Sequence, residues 1–231
     1  MRQDIGVTTP DELRQRHADL LARLRGIAAA HGHETGALRI VGVTKTHPLD
    51  VVRSALAAGI TVLGESRIQE AEPKVAAAPE AEWHFIGRLQ SNKARRAVRA
   101  FAVIHSVDSL ELLDRLDRIA GEEARPPRLL LEVNVSGEAT KAGMAPESLA
   151  RVALPRHARL VGLMTIAPVH ATADEARAVF GRLRELRDEL AERLGVELPE
   201  LSMGMSADAD AAAAEGATLV RIGTALFGPR R

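Results

Sequence analysis

The chain has 231 residues, enough for one large domain or two small ones. Hydrophobic residues make up 46%, which is enough for a core. Aromatic residues make up only 2%, so that core must consist mainly of Leu, Val, Ile and Ala. The 31 basic and 31 acidic side chains give no net charge, which argues against a nucleic-acid-binding protein, and the lack of cysteine excludes disulfides, thiolate metal sites and a cysteine nucleophile. The histidines lack metal-ligand spacing and no signal core or membrane-length apolar run is present, so we expect a cytoplasmic protein with no metal site and no membrane contact.

Predicted helices and strands alternate along the whole chain. An opening helix is predicted from about Pro10 to Ala30, with leucines at helical spacing. Eight strand segments follow, at residues 38–45, 61–66, 83–87, 101–107, 128–135, 159–167, 199–204 and 218–228. Helices are predicted between them at residues 49–58, 66–77, 90–98, from 108, 146–153, from 172 and 207–214. Two of these helices are expected to begin with capping boxes, Asp108 with Glu111 and Thr172 with Glu175.

This alternation predicts the fold class. Strands that alternate with helices favour parallel βαβ units, and eight such units in a chain of this length predict an α/β (β/α)₈ TIM barrel. We expect a single domain over residues 1–231, with the opening helix as an extra element. An open doubly wound sheet is the alternative, but no dinucleotide glycine fingerprint follows the first strand and no P-loop is present.

The carboxyl ends of the strands, where such barrels have their active sites, carry most of the unusual polar residues. Lys45 ends the first strand, and it is either an ordinary solvated lysine or a reactive amine. His84 and His105 are expected to be satisfied core histidines. Glu132 and Asn134 share one strand face and are interpreted as a polar layer inside the barrel.

The last two strand ends suggest an anion site. The segment "SMGMSAD" places Ser206 before a helix, where it is either a simple N-cap or part of a phosphate grip, and "RIGT" places Gly223 and Thr224 after the last strand. Asp208 and Asp210 oppose an anion unless they point away. A phosphate grip and a lysine amine in one barrel mouth suit a phosphorylated carbonyl compound. Two ligands remain open, a sugar phosphate in a lysine aldolase and pyridoxal 5'-phosphate.

Seven motifs in the same order resemble the pyridoxal phosphate homeostasis proteins, single barrels similar to the barrel domain of alanine racemase. The motifs run from about Leu38 to Gly228: "VGVTKTHP", "LGESRIQEAEPK", "WHFIGRLQSNK", "HSVDS", "EVNVSGEATKAGM", "GLMTI" and "LSMGMSADADAAAAEGATLVRIGTALFG". Pyridoxal 5'-phosphate is the cofactor that the resemblance implies.

The resemblance also implies residue roles. Lys45 is expected to form the Schiff base with the cofactor, and Arg221 to face the pyridine nitrogen. The expected phosphate ligands are Ser206, Gly223 and Thr224, and the expected pocket residues are Asn92, Met164 and Met203. The chain departs from the family at Ser66-Arg67, where members usually have asparagine followed by tyrosine or a similar residue, so no role is assigned to Ser66.

The resemblance and the chemistry of arginine favour a carrier over an enzyme. A guanidinium only donates hydrogen bonds, so Arg221 would leave the pyridine nitrogen unprotonated and the ring a poor electron sink. A racemase or related pyridoxal enzyme is the alternative, but it needs a second proton carrier and the chain has no tyrosine; a side chain such as His84 would have to substitute. We therefore expect no catalytic residues, a monomer that stores, buffers or delivers the cofactor, and pyridoxal-dependent apoenzymes as recipients.

Overall fold

The computed structural model describes residues 9–138 and 140–228, and its centre is a closed barrel of eight parallel strands in sequence order. The strands are β1 (Arg39–Val43), β2 (Val62–Glu65), β3 (Glu82–Phe85), β4 (Val103–Val107), β5 (Arg128–Glu132), β6 (Arg159–Met164), β7 (Glu200–Ser202) and β8 (Leu219–Ile222). Pairing of β1 with β8, from Arg39 opposite Leu219 to Gly42 opposite Ile222, closes the barrel. The predicted (β/α)₈ fold is confirmed.

Helices surround this barrel. They are α1 (Pro10–Ala30), α2 (Leu49–Ala57), α3 (Ile68–Ala77), α4 (Ala94–Ala100), α5 (Leu110–Glu122), α6 (Ala173–Leu194), α7 (Ala209–Ala214) and α8 (Thr224–Phe227), with 3₁₀ segments at Ser91–Lys93 and Pro146–Arg151. In the described part of the chain, no helix combines the length and the apolar character needed to cross a membrane.

The extra helix α1 covers the barrel where its own helices are short. It begins with a capping box between Thr9 and Glu12, which satisfies two terminal backbone N–H groups. Its buried face includes Leu13 and Leu24, and α7, against which it packs, has only six residues. Because a six-residue helix covers little apolar surface, α1 completes the outer layer beside α7 and β1.

Several predicted element ends differ from the structure. The last strand ends at Ile222 because the chain turns at Gly223 into α8, and the fifth ends at Glu132, whose carbonyl then accepts the N–H of Met144 from a loop. The predicted helix at 146–153 is a 3₁₀ segment. The capping box of α6 at Thr172 is confirmed.

Two predicted caps were wrong. Helix α5 is capped by Ser109, whose hydroxyl accepts the N–H of Leu112, because the extended backbone at Ser109 brings its shorter side chain onto the first turn. Helix α7 begins at Ala209 with Asp208 in the N-cap position, so Ser206 is not a helix cap.

Side chains alternate between the interior of the barrel and its helix-covered outside, as strand geometry requires. At the bottom, odd-numbered strands contribute a charged layer in which Arg39 pairs with Glu82 and Glu200, and Arg128 pairs with Glu82. An apolar cluster also fills the interior, formed by Val41, Val103, Leu130, Met164 and Leu219. Layers from alternate strands are typical of this fold. The polar residues at the strand ends lie above these layers, at the mouth of the barrel.

Candidate functional site

Lys45 lies at the mouth of the barrel, two residues beyond Val43 on the interior side of β1. A Cβ built at Gly64 would lie 2.9 Å from Val41 and 3.7 Å from Val43, which places both valines in the interior. The chain leaves β1 at Val43, so the prediction that Lys45 ends the first strand was wrong. Lys45 lies in the turn that follows, in which the N–H of His47 donates to the carbonyl oxygen of Thr44, and its side chain is half-buried.

The backbone around Lys45 is held by α3. The Nζ atom of Lys74 donates to the carbonyl oxygen of Thr44 at 2.9 Å and to the carboxylate of Glu65 at 2.7 Å. Glu70, which also accepts from Lys74, accepts the N–H of Thr46. Thr46 has a left-handed φ of 66°, a conformation that a threonine adopts only when its surroundings hold it. Both peptide groups flanking Lys45 are therefore fixed by one helix.

The sequence reasoning missed this clamp. Lys74 is buried although lysine is normally exposed, and its partner Glu65 is fully buried. Burial raises the pKa of Glu65, although hydrogen bonds from Lys74 and Thr44 oppose the rise. The sequence does indicate that Lys74 is buried, because Lys74 shares the buried face of α3 with Ile68 and Ala71 at helical spacing.

Arg221 projects from β8 into the barrel beneath the mouth and is only 5% exposed. Its Nη1 donates to the hydroxyl of Ser202 at 2.6 Å, and its Nη2 donates to the carbonyl oxygen of Thr165 at 2.9 Å. Burial lowers the pKa of Arg221 to about 10, with the charges of Asp208 and Glu132 opposing this. The guanidinium is therefore still charged at neutral pH.

Ser206, Gly223 and Thr224 meet on one side of the mouth. The hydroxyl of Ser206 accepts the N–H of Ala225 at 3.4 Å, which joins the loop after β7 to the first turn of α8. A Cβ built at Gly223 would make only ordinary contacts with Val43, at 3.5 Å or more, so protein atoms leave open the side on which a ligand would lie. Hydroxyls and N-terminal N–H groups are the donors that bind phosphate.

Asp208 and Asp210, whose negative charges would oppose a bound anion, differ in position. Asp210 forms a salt bridge with Arg23 of α1 at 3.0 Å and so points away from the mouth. Asp208 accepts the N–H of Met205 at 2.6 Å and closes the loop that carries Ser206. Gly204 begins that loop with a φ of 85°, and a Cβ there would lie 2.5 Å from Ala212. Only glycine therefore fits where the loop starts.

Glu132 is a second titratable group in the mouth. It follows the interior residue Leu130 by two positions and is 5% exposed. Burial raises its pKa to about 7, and the negative charge of Asp108 adds to the rise while Arg221 and Arg88 oppose it. The predicted polar layer of Glu132 and Asn134 was wrong in its second member, because Asn134 lies in a loop and bonds to Gly137 and Glu138.

The remaining predicted pocket residues differ in burial. Met164 is buried in the interior cluster below the mouth. Met203 is fully buried and belongs to the core cluster that includes Ala209 and Ala212 of α7, on the other side of the barrel wall from Ser202. Asn92 is exposed in the 3₁₀ segment after β3. Because β1 pairs with β8, Lys45 lies at a strand end next to that of Arg221, Gly223 and Thr224, whereas the side chain of Met203 is buried in the outer core.

The mouth thus combines a lysine amine, a buried cation and a loop pair that carries the hydroxyls of Ser206 and Thr224. The donors suit a flat ligand with a phosphate at one end and an amine-reactive carbonyl at the other, since each feature of such a ligand meets a matching group. Among the described residues, no group of three or more His, Asp or Glu side chains could hold a metal ion.

Comparison with known proteins identifies relatives over nearly the whole chain. The family model "Alanine racemase, N-terminal domain" matches residues 17–231. A pyridoxal phosphate homeostasis protein of Pseudomonas aeruginosa is 46% identical over 92% of this chain and 94% of its own length, and one of Aquifex aeolicus is 41% identical over 94% and 98%.

Solved structures give the same result. PipY of Synechococcus elongatus, solved with pyridoxal phosphate bound, is 43% identical with a TM-score of 0.79, covering 90% of this chain and all of that one. An alanine racemase of Clostridium difficile shares the fold with a TM-score of 0.72 at 17% identity, and this chain covers 57% of it.

The clamp on Lys45 predicts a pH-dependent effect of Lys74→Met. Without the ammonium, the buried carboxylate of Glu65 loses its charge partner, and we expect the free energy of unfolding to fall by about 3–5 kcal/mol at pH 8. Burial already raises the pKa of Glu65, and removal of Lys74 takes away a group that lowers it, so the folded variant takes up a proton more readily as the pH falls. The loss should therefore be smaller at pH 5 than at pH 8. Urea unfolding at both pH values measures the difference.

The matched control is the double variant Lys74→Met with Glu65→Gln, which removes both charges. It should lose less stability at pH 8 than the single variant and show little difference between the two pH values. Equal losses at pH 5 and pH 8 for Lys74→Met would contradict a buried ion pair.

Glu132 predicts a second pH dependence. Its pKa rises from 4.5 to about 7 on folding, so its contribution to stability is present below pH 4.5 and is lost as the pH rises through 7. In Glu132→Gln, the change in unfolding free energy between pH 4 and pH 8 should differ from that of the wild type by about 3 kcal/mol. Glu111→Gln, an exposed residue of α5, serves as the control and should keep the wild-type profile. Identical profiles for the wild type and Glu132→Gln would refute the assignment.

Proposed function

The chain belongs to the family of pyridoxal phosphate homeostasis proteins, and we propose that it binds pyridoxal 5'-phosphate at its barrel mouth and stores, buffers or delivers this cofactor. The single observation that carries the proposal is that the paired strands β1 and β8 place a lysine, a buried guanidinium and the joined loops of Ser206 and α8 at one barrel opening. A relative 43% identical to this chain has been solved with pyridoxal phosphate bound.

Lys45 is proposed to hold the cofactor covalently. When bound, pyridoxal 5'-phosphate supplies an aldehyde that can form a Schiff base with an amine. Lys45 would hold the aldehyde end of the cofactor through its amine. The clamp from α3 fixes the carbonyl of Thr44 and the N–H of Thr46, so the amine is presented from a rigid position.

The phosphate is proposed to lie against Ser206, Gly223 and Thr224. Hydroxyl groups can donate to phosphate oxygens, and hydrogen bonds to a charged partner are the stronger kind. Gly223 brings the main chain close without a side chain in the way. This end of the site supplies affinity without chemistry, which suits reversible retention of the cofactor.

Arg221 is proposed to face the pyridine nitrogen and to favour a carrier over a catalyst. The guanidinium has no acceptor atom, and its pKa of about 10 keeps it charged at neutral pH. A nitrogen that accepts from Arg221 stays unprotonated, so the ring withdraws carbanion electrons poorly. The relatives from Aquifex aeolicus and Pseudomonas aeruginosa carry the name of homeostasis proteins, in agreement with a role other than catalysis.

A racemase-type activity is the second candidate, and Glu132 is the observation that favours it. A carboxyl group with a pKa of about 7 in the mouth can both give and take a proton near neutral pH. His84, the substitute considered from the sequence, is unsuitable because it is fully buried and both ring nitrogens are hydrogen-bonded inside the barrel. Conversion of L- to D-alanine by the loaded protein, lost in Glu132→Gln, would establish this activity, and no turnover would leave the carrier role.

Delivery also implies partners. We propose pyridoxal-dependent apoenzymes as recipients and a monomeric carrier, since a single mouth can hold and release one cofactor molecule. Mixing the loaded protein with an apoenzyme and following recovery of that enzyme's activity tests the transfer.

Lys45→Ala should abolish the covalent link. The purified wild-type protein, loaded with pyridoxal 5'-phosphate, should show a visible Schiff-base absorbance band and, after borohydride reduction, a pyridoxyl adduct on Lys45 by mass spectrometry. The variant should show neither and keep its far-ultraviolet circular dichroism. Lys93→Ala, a lysine beyond β3 at the same end of the barrel, is the matched control and should behave as the wild type. An adduct that persists in Lys45→Ala would disprove the lysine assignment.

Ser206→Ala combined with Thr224→Ala should weaken retention of the cofactor. Removal of two hydroxyl donors to a charged phosphate corresponds to a loss of roughly a hundredfold in affinity. Equilibrium dialysis against pyridoxal 5'-phosphate measures the affinity, and the Schiff-base band at saturation should remain. Thr61→Ala, at the opposite end of the barrel before β2, is the control. Unchanged affinity in the double variant would place the phosphate elsewhere.

A further inference from the structure

A continuous line of hydrogen bonds crosses the interior of the barrel and ends at Arg221. The carboxylate of Glu82 lies 2.7 Å from Nε2 of His84, and Nδ1 of His84 lies 2.8 Å from Nε2 of His105. Nδ1 of His105 lies 2.7 Å from the hydroxyl of Ser202, which lies 2.6 Å from Nη1 of Arg221. The two histidines and Ser202 are fully buried.

The two ends of this line determine the direction of every hydrogen bond in it. Arg221 can only donate, so the oxygen of Ser202 accepts from it and its own proton goes to Nδ1 of His105. The proton of His105 is then on Nε2 and is donated to Nδ1 of His84, whose Nε2 proton is donated to Glu82. Each of the four links therefore has one proton and one acceptor.

The charges along the line support this assignment. A hydrogen bond from His84 lowers the pKa of Glu82 to about 2, so the carboxylate is ionised and accepts. Burial lowers the pKa of both His84 and His105, which keeps the rings neutral. Arg39 and Arg128 pair with Glu82 at the bottom of the barrel and hold it in place.

We propose that Glu82, His84 and His105 are positioning residues that fix the hydroxyl of Ser202 as an acceptor and so hold Arg221 in one orientation toward the mouth. The carbonyl of Thr165 accepts from the other guanidinium nitrogen, so two of its directions are fixed. The part of the inference that concerns the cofactor rests on the proposed function, whereas the direction of the hydrogen bonds concerns the protein alone.

An interior filled only by apolar side chains would need no matched hydrogen bonds, whereas this line needs one at every step. Other interior positions are filled by valine and leucine, as in the cluster of Val41, Val103 and Leu130. Buried polar groups contribute only when every donor has an acceptor, and then they specify one arrangement. The line meets that condition from Glu82 to Arg221. The position of Glu82 at the bottom of the barrel therefore determines, through this line, the orientation of the guanidinium of Arg221 at the top.

The first test uses the ligand-free protein and does not depend on the proposed function. In ¹⁵N-histidine-labelled protein at pH 7, the ring nitrogens of His84 and His105 should both show the neutral tautomer with the proton on Nε2. Resonances are assigned with His84→Gln and His105→Asn. An imidazolium or a proton on Nδ1 in either ring would overturn the proposal.

The second test asks whether the line acts on Arg221. His105→Asn keeps an acceptor near the position of Nδ1, whereas His105→Leu removes it. With pyridoxal 5'-phosphate as the probe, His105→Leu should shift the absorbance maximum of the bound form and weaken retention by about tenfold, the size of one lost hydrogen bond, because the hydroxyl of Ser202 loses its acceptor and no longer holds Arg221 in one orientation. His105→Asn should restore both properties most of the way to the wild type.

Two further variants keep the test decisive. Ser202→Ala removes the acceptor of Arg221 itself by a smaller change, and it should shift the spectrum and weaken retention at least as much as His105→Leu, which keeps the test available if the latter does not fold. His33→Leu is the matched control, because His33 bonds to the carbonyl of Ala214 outside the barrel. The proposal is wrong if His105→Leu and Ser202→Ala both retain the wild-type spectrum and affinity, or if His33→Leu changes them equally. If the wild type does not bind the probe at all, the proposed function fails while the tautomer test still decides the hydrogen-bond direction.

Discussion

Arg221 carries a full positive charge into a barrel interior from which water is almost excluded. A buried charge is tolerated only when hydrogen bonds and opposite charges surround it. Here Ser202 and Thr165 accept its hydrogen bonds, and the carboxyl groups of Asp208 and Glu132 favour its charged form. These partners come from different strands and loops, so the barrel must close in the correct register before the charge is satisfied.

A second buried cation lies on the opposite side of the barrel wall. Lys74 of α3 satisfies its charge with Glu65 and Glu70 and holds the carbonyl of Thr44. Lys45, the residue proposed to bind the cofactor, directly follows Thr44, whose carbonyl accepts from Lys74. Both arrangements use buried charge to fix a position, which apolar packing alone specifies less well. The backbone around Lys45 and the guanidinium of Arg221 are therefore both held in fixed positions.

The fold was predictable because its signals are local and repeated. Eight apolar segments separated by helical ones leave little choice of architecture, and the motifs around Lys45 and Gly223 fix the position of the site at the strand ends. The sequence predicts which residues follow a strand, but it does not state which side chains meet across the barrel. Glu65 and Lys74 could not be paired from their spacing, since one lies on a strand and the other two turns into a helix. Likewise, Met203 is near the site in sequence, yet strand alternation sends its side chain to the outer core.

The hydrogen-bond line also bears on why this mouth would hold a cofactor rather than activate it. A proton cannot pass from Glu82 to Arg221 unless a guanidinium gives up its charge, and a pKa of about 10 opposes that at neutral pH. The interior therefore supplies orientation and charge but no exchangeable proton to a ring nitrogen at Arg221. Proton exchange in the mouth is left to Glu132, which lies at the end of β5 and is not part of the line. A group that titrates near neutral pH suits the release and capture of an amine-bound aldehyde, and Glu132 is also the group that would serve as the second proton carrier in the inversion of a carbon centre.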